Sequence, residues 1–251
     1  MNPEGSGERT REAIEALGRF TWWLRDFEVQ AERRHTCGEP DWGRGARLHR
    51  AVIRSIQRFQ VGESGDGANL IAKADADQHA DYAAAVRLFV AEEREHARML
   101  GRLLAAAGTP TITAHWSDVV FVRLRRALGL RLELMVLMVA EVIALRYYRA
   151  LRDGPEDALT TEVAGRILAD EARHVSFHTV RLAAWLADLP RVARPVVAWS
   201  WWLLLLGAAV TVAVDHGPAL RRLGVARRTF VSEVAAEFRS VVARVRILSR
   251  R

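Results

Sequence analysis

Apolar residues recur at helical spacing along most of the chain, and no stretch alternates apolar and polar residues for long enough to predict a strand. Short stretches rich in glycine, proline and aspartate interrupt this pattern and separate five long segments. The pattern predicts helices over residues 8–34, 46–63, 75–107, 117–151 (with an irregularity at Gly129) and 156–186. The sequence therefore predicts an all-α protein.

The same breaks suggest three segments. Residues 1–45 read as an amphipathic helix and a loop, and residues 46–186 as a four-helix bundle. Residues 187–251 read as an apolar helix followed by a basic amphipathic helix. With 251 residues, half of them apolar, the chain is long enough to bury a substantial core.

Each of the four central helices carries one glutamate on a stripe that is otherwise apolar. Two of these glutamates begin a Glu-x-x-His sequence, which places both side chains on one helix face. The spacing also repeats, because 30 residues separate the two glutamates within each helix pair. The candidate ligands are Glu63, Glu93, His96, Glu141, Glu171 and His174.

Four carboxylates converging in a core would repel one another and lose hydration unless cations neutralise them. Two divalent ions balance four glutamates, and two neutral imidazoles add nitrogen ligands without changing the charge. A mixed oxygen and nitrogen set suits iron or manganese. The competing interpretation, that these are solvated charges on arginine-rich helices, is disfavoured because each glutamate lies on the apolar stripe of its helix.

Over residues 46–186 this series of ligands resembles that of the ferritin-like di-iron carboxylate superfamily. The resemblance implies a ferritin-like four-helix bundle with additional N- and C-terminal helices. It also implies two bound iron ions, with manganese or a mixed pair as an alternative. Superfamily members use O₂ to oxidise a small-molecule substrate, and here an external electron donor would be needed because the chain has no second cofactor motif. The expected function is thus that of an oxidase or hydroxylase.

Two other functions remain open. One is iron handling of the ferroxidase kind, although the long apolar and amphipathic additions at both ends argue against a ferritin cage. The other is a bundle that binds metal without catalysis. Arylamine N-oxygenases, which the site also resembles, carry an extra histidine four residues before the last glutamate; the corresponding residue here is Ile167, which weighs against that activity.

Neighbouring residues leave some assignments open. Glu92 competes with Glu93, but Glu93 keeps both the 30-residue spacing and the i, i+3 offset, so Glu92 and Glu95 are expected to be surface charges. His178 could be a third imidazole ligand, or more plausibly an outer hydrogen-bond donor to the ligands. Gln60 and Tyr148 have two alternative interpretations: they line the cavity, or they are ordinary buried polar residues.

Composition limits the partners and the compartment. The formal charge of +7 comes from 36 arginines and a single lysine, Lys73, with acidic residues interleaved. No nucleic-acid motif accompanies this charge, so nucleic-acid binding is not expected. Cys37 has no partner for a disulfide within the chain, and the N-terminus lacks the uncharged core of a secretory signal. A cytoplasmic protein is expected.

Residues 195–214 contain no charge over a length that could cross a bilayer. Arginines flank both ends, and three tryptophans lie toward the first end. The segment could span a membrane, lie on a membrane surface, or be a helix buried by the bundle or in a homodimer. The sequence leaves these three alternatives open.

Overall fold

The computed structural model describes residues 4–77, 79–116, 119–120, 122–123, 129–154 and 157–249; the side chains of residues 4–17 and 19 lie outside the description. Regular structure in these residues is entirely helical, which confirms the predicted all-α class. The helices are α1 (Glu4–Cys37), α2 (Arg50–Glu63), α3 (Ala68–Asp75), α4 (Ala80–Ala106), α5 (Leu130–Asp153), α6 (Ala158–Asp188), α7 (Ala193–Asp215), α8 (Gly217–Arg222) and α9 (Arg227–Leu248), with a 3-10 turn at Trp42–Arg44.

Capping residues and turns move several boundaries from their predicted positions. Helix α2 begins at Arg50 rather than near residue 46, because His49 caps it: its Nδ1 accepts a hydrogen bond from the Ala51 amide at 3.1 Å. The predicted helix over 75–107 begins only at Ala80, and the short α3 precedes it.

The predicted helix over 117–151 is interrupted. Gly129 has an extended backbone (φ −68°, ψ 164°), and α5 begins after it. Residues 119–120 and 122–123 are helical, whereas 117–118, 121 and 124–128 lie outside the described residues. Helix α6 begins after Asp157, whose side chain accepts a hydrogen bond from the Thr160 amide at 2.8 Å.

The chain divides into two compact units, and the predicted three-segment division stays a prediction. The first unit comprises Met1–Gly38 and Asp66–Glu92. Its core includes Phe20 and Phe27 of α1 and Tyr82 of α4, all almost completely buried, with the Phe20 and Tyr82 rings 5.2 Å apart. Burial of such aromatic surface contributes strongly to stability.

Gly67 determines how α3 begins within this first unit. Its φ of +64° is one that side-chain-bearing residues rarely adopt. A Cβ atom at this position would also lie 2.4 Å from Cγ1 of Val90. The turn between α2 and α3 therefore requires glycine for both its backbone conformation and its close packing.

The second unit comprises Glu39–Gly65 and Glu93–Arg251. Helix α5 packs along α6, and α9 packs on α5, α6 and α7. Arg146 of α5 pairs with Glu233 of α9, and Arg149 pairs with Glu237 at 3.1 Å. The basic C-terminal helix α9 is thus held against α5 by two ion pairs.

Helix α7 contains the uncharged segment 195–214. Within the described residues it is the one helix long and apolar enough to cross a membrane, and 22% of its most apolar window is buried. One face packs inward through Trp201, Leu205, Ala209 and Ala213, and the Trp201 indole donates a hydrogen bond to the Met135 carbonyl at 2.9 Å. Length and composition therefore leave both a soluble and a membrane-associated protein open.

Candidate metal centre

All six predicted ligands lie in the second unit and converge there in two overlapping groups. The first group is Glu63, Glu93, His96 and Glu171, and the second is Glu93, Glu141, Glu171 and His174. Within each group one ligand atom per residue lies within 4.8 Å of all the others. Glu93 and Glu171 belong to both groups, as carboxylates that bridge two cations would.

Both imidazoles turn Nδ1 toward the shared carboxylates. His96 Nδ1 lies 3.3 Å from Oε1 of Glu171 and 3.6 Å from Oε1 of Glu93. His174 Nδ1 lies 3.1 Å from Oε1 of Glu93, 3.6 Å from Oε2 of Glu141 and 3.7 Å from Oε2 of Glu171. The i, i+3 offset within α4 and α6 produces this convergence, because it places glutamate and histidine on the same face.

The site is buried, and several of its polar atoms lack hydrogen bonds. His96 and His174 are fully buried, and Glu141 and Glu171 nearly so. Glu93 Oε1, His96 Nδ1 and Glu141 Oε2 have no hydrogen bond of acceptable geometry among the described residues. Buried polar atoms are rarely left in this state. Glu93 belongs to both ligand groups, His96 to the first and Glu141 to the second, so each group contains two such atoms and could hold a metal ion.

Repulsion and burial shift the proton affinities of this cluster. Burial raises the pKa of Glu63 and of Glu141, and the neighbouring carboxylates Glu93 and Glu171 raise both further. Burial opposes the charged form of His96, but its hydrogen bond to Asp170 and its contact with Glu171 raise its pKa overall. Without cations, protons therefore neutralise part of the cluster.

Asp170 is a functional candidate that sequence reasoning missed. Its Oδ2 lies 3.2 Å from Nε2 of His96, so the ring N–H donates to it while Nδ1 faces the site. Asp170 also pairs with Arg173. Burial raises the pKa of Asp170, but the hydrogen bond to His96 and the charges of His96, His174 and Arg173 together lower it overall. A sequence signal existed: an acidic residue precedes the glutamate in both Glu-x-x-His copies, as Glu92 does before Glu93.

The prediction that Glu92 is a surface charge is wrong. Only 1% of the residue is exposed, and Oε1 accepts a hydrogen bond from Nη2 of Arg34 at 2.7 Å. Glu92 shares its helix face with the buried Phe89 and Met99, which explains the burial. Glu95 is half-buried and pairs with Arg98 at 2.6 Å on the surface of α4.

Tyr148 makes a direct contact with the ligand set. Its hydroxyl donates a hydrogen bond to Oε1 of Glu63 at 2.7 Å, and its side chain is fully buried. Burial and the charge of Glu63 raise the pKa of Tyr148, so the phenol stays protonated and keeps donating. Tyr148 thus holds Glu63 in position.

The other two candidates lie outside both ligand groups. His178 is fully buried one turn beyond His174, with its ring centroid 5.1 Å from that of Phe177, and its outer role stays a prediction. Gln60 is half-buried and is not among the residues that line the adjacent cavity. Successive side chains of an α-helix point about 100° apart, and on α2 Phe59 lines the cavity whereas Gln60 does not.

A cavity of about 500 Å³ reaches the ligands. Glu63, Glu93, Glu141 and Glu171 contribute to its surface, and most of the remaining lining is apolar. Its walls come mainly from α5 and α7. Such a cavity can hold an apolar organic molecule beside the carboxylates.

A buried polar cluster borders this cavity on the side of α8, and the sequence analysis did not identify it. The Ser55 hydroxyl lies 2.7 Å from Nδ1 of His216 and 3.0 Å from the Tyr147 hydroxyl. Burial lowers the pKa of His216 to about 4. Arg58 pairs with the adjacent Asp215 at 2.9 Å, so this acidic side chain is neutralised.

Comparison with models of known protein families and with curated proteins finds no match to this chain.

Proposed function

We propose that this chain is a ferritin-like di-metal protein that uses O₂ to oxidise an apolar small molecule. Glu63, Glu93, His96 and Glu171 would hold one ion, and Glu141 and His174 would hold the other together with the same two bridging glutamates. Iron is the first choice and manganese or a mixed pair the alternative, because the ligands are mixed oxygen and nitrogen donors. The observation that carries the proposal is the pair of overlapping ligand groups.

The residues fit such a pair of ions. Two divalent cations would neutralise four carboxylates whose burial is otherwise unfavourable. They would also give partners to Glu93 Oε1, His96 Nδ1 and Glu141 Oε2, which lack hydrogen bonds among the described residues. The outer contacts fit as well, since a ligating histidine commonly donates its second ring N–H to a carboxylate, as His96 does to Asp170.

The order of the ligands supports the ferritin-like fold. Helices α2, α4, α5 and α6 contribute, in chain order, Glu, Glu-x-x-His, Glu and Glu-x-x-His. This arrangement is the one described for di-iron and di-manganese carboxylate bundles. The 30-residue spacing within each helix pair is consistent with two similar halves.

When bound, the ion pair would supply the redox chemistry that reduces O₂. The chain's own residues would position the metal ligands and the substrate. Asp170 fixes the ring of His96, Tyr148 holds Glu63, and the apolar walls of the cavity would hold the substrate beside the carboxylates. Insertion of one oxygen atom into a C–H bond consumes O₂, two electrons and two protons and releases water, so a separate electron donor is part of the proposal.

The lining of the cavity favours an organic substrate over iron storage. Hydrated iron ions would enter a ferroxidase site along polar or acidic side chains. Here the carboxylates are reached through a mostly apolar cavity of about 500 Å³. The cavity therefore supports oxidation of an apolar molecule as the main proposal.

Metal analysis tests the ligand set. Protein loaded anaerobically with Fe(II) is expected to hold two ions per chain. Glu93→Ala and Glu171→Ala each remove a ligand shared by both groups and should abolish binding of the second ion. Glu95→Ala and Glu162→Ala serve as controls on the same two helices, because these residues pair with Arg98 and Arg166 on the surface. Retention of two ions by the Glu93 or Glu171 variant would reject the ligand assignment.

Oxygen uptake tests catalysis. The Fe(II)-loaded protein is expected to consume O₂ stoichiometrically with its iron, and Glu171→Ala should not. Light scattering on the same sample separates a cage from a small assembly. A cage of many chains that accumulates iron would replace the proposed oxidase with iron storage, and absence of O₂ uptake would leave a bundle that binds metal without catalysis.

A further inference from the structure

Helix α7 has one buried and one exposed apolar face. Trp201, Leu205, Ala209 and Ala213 are buried against the rest of the second unit. On the opposite side, exposed apolar residues recur every three or four positions, and we call this row the apolar stripe. The apolar stripe consists of Val196, Trp199, Leu203, Leu206, Val210 and Val214.

The exposure of the stripe is large for a protein in water. Trp199 is 72% exposed and Leu203 is 67% exposed. At 1.5 Å per residue, the stripe extends over about 27 Å. No charged side chain interrupts the segment from Pro195 to Val214. A continuous apolar surface of this length marks an interaction site.

Positive charge brackets the stripe. Arg191 and Arg194 precede it, and Arg221 and Arg222 follow it. The stretch from Leu189 to Val214 contains no acidic residue, and Asp215, which follows, already pairs with Arg58. An occupant of this surface should therefore be apolar in the middle and anionic at both edges.

A groove of about 710 Å³ at the first end of the stripe repeats this combination. Trp199 and Trp202 line it together with aliphatic side chains, and Arg191, Arg194 and Arg246 contribute their guanidinium-bearing side chains. Acyl chains fit the apolar part, and phosphate groups fit the arginines. A phospholipid carries both acyl chains and a phosphate group.

We propose that the apolar stripe lies in the surface of an anionic phospholipid bilayer, with the axis of α7 parallel to the membrane plane. The buried face runs along the helix and holds it against α5 and α9, so α7 is not available to cross the bilayer alone. The stripe buries its side chains at the headgroup boundary while the arginines contact lipid phosphates.

A second copy of this chain fits the stripe less well. Pairing two stripes in either orientation would bring the flanking arginines of the two copies together. Neither copy has an acidic side chain between residues 189 and 214 to compensate them. Anionic lipid supplies the missing negative charge.

The stripe also meets the cavity that leads to the metal ligands. Leu203 belongs to the stripe and also lines that cavity. The exposed Trp116 and Val120, which lie outside the stripe, line the same cavity. An apolar molecule dissolved in the bilayer could enter there without crossing water. The substrate class is thus membrane-dissolved and apolar; this part rests on the proposed function, whereas docking of the stripe does not.

Vesicle sedimentation tests the docking. Full-length protein, without detergent, is mixed with vesicles of phosphatidylcholine alone or with 30% phosphatidylglycerol, a fraction of about one lipid in three that gives a strong negative surface potential. Binding is expected to the anionic vesicles and to be at least fivefold weaker to neutral ones. Leu203→Glu and Val210→Glu should each weaken binding at least tenfold. Val29→Glu, at a residue of α1 that is 49% exposed, is the matched control and should bind like the native protein.

Further experiments test the role of the flanking arginines and how deeply α7 enters the membrane. Arg191→Gln and Arg221→Gln should each weaken binding by about fivefold, as expected when a basic residue near an anionic surface is removed. Native protein should be released by a wash at pH 11, as a surface-bound protein would be. Retention through that wash would indicate a spanning helix and overturn the proposal. Equal binding of Leu203→Glu and native protein would overturn it as well, as would no binding of native protein to either vesicle.

Light scattering gives the competing outcome. A native dimer that Leu203→Glu dissociates, without vesicle binding, would assign the stripe to contact between copies. Metal content separates this proposal from the proposed function, because Val210→Glu, at a stripe residue that does not line the cavity, should still hold two ions per chain.

The entry route has its own test. The neutral apolar probe N-phenyl-1-naphthylamine should bind in the cavity, and Gly207→Phe, which fills it from α7, should remove that binding. A Cβ at Gly207 meets no atom within 4 Å, so the variant should fold. Unchanged probe binding in Gly207→Phe would reject the route, whereas the vesicle result would stand.

Discussion

Asp170 orients His96, so weakening this one contact should affect one metal position more than the other. The Nε2 to Oδ2 distance is 3.2 Å, and the carboxylate side chain is only 11% exposed. A hydrogen bond to a charged acceptor contributes about 1.5–3 kcal/mol, and one to a neutral acceptor about 0.5–1.5 kcal/mol. Asp170→Asn keeps the shape and loses the charge, so it should cost about 1–1.5 kcal/mol, or about tenfold in affinity.

Titration of the metal-free protein with Mn(II), with the free ion counted by electron paramagnetic resonance, measures both affinities. In Asp170→Asn the ion held by Glu63 and His96 should bind about tenfold more weakly, whereas the other should change by less than about twofold. Asp170→Ala removes the acceptor entirely and should weaken the first ion by up to about 100-fold. Arg173→Gln is the control, because it removes the other partner of Asp170 and leaves the contact with His96.

Two results would refute this reasoning. Native affinities in both Asp170 variants would mean that His96 does not ligate through Nδ1 or does not need Asp170 to do so. Equal weakening of both ions, together with a lower unfolding temperature, would mean that Asp170 supports the fold of α6 rather than one ligand.

Three further predictions concern protons and stability. Tyr148→Phe leaves Glu63 Oε1 without its donor and should lower the free energy of unfolding of metal-free protein by about 1–3 kcal/mol, measured in urea; an unchanged midpoint would contradict the role of the 2.7 Å hydrogen bond. Metal uptake near neutral pH should release protons from Glu63 and Glu141, whose pKa values are raised, so a weakly buffered dye solution should turn acidic and affinity should rise with pH. His216 has a folded pKa of about 4, below its unfolded value, so its contribution of roughly 3 kcal/mol is present above about pH 6.5 and is lost as the pH falls toward 4. His216→Gln should reduce that loss, and an equal loss in both proteins would assign the acid sensitivity elsewhere.

The all-α class and the convergence of the six candidate side chains could be predicted because both depend on local periodicity. A helix that buries one face shows its apolar stripe in the sequence, and a glutamate on that stripe stands out. The i, i+3 offset then determines that His96 shares the face of Glu93 without any knowledge of the tertiary structure. The structure accordingly brings these side chains together.

The contacts that surround the ligands could not be predicted, because they join residues far apart in the chain. Glu92 is buried beside Arg34, 58 residues earlier, and Ser55 meets His216, 161 residues later. Tyr148 reaches Glu63 from another helix. Periodicity identifies which face of a helix is buried, but the partners on that face depend on how the helices pack.

The sharing of Glu93 and Glu171 has a consequence for how the protein could be divided. The pair α2 and α4 brings three members of the first group and lacks only Glu171; the pair α5 and α6 brings three members of the second and lacks only Glu93. A chain cleaved in the connection after Ala106 would yield two fragments, and neither could complete a site by itself. Added metal should then drive the fragments to reassociate, so that the ions act as the link that a peptide bond supplies in the intact chain.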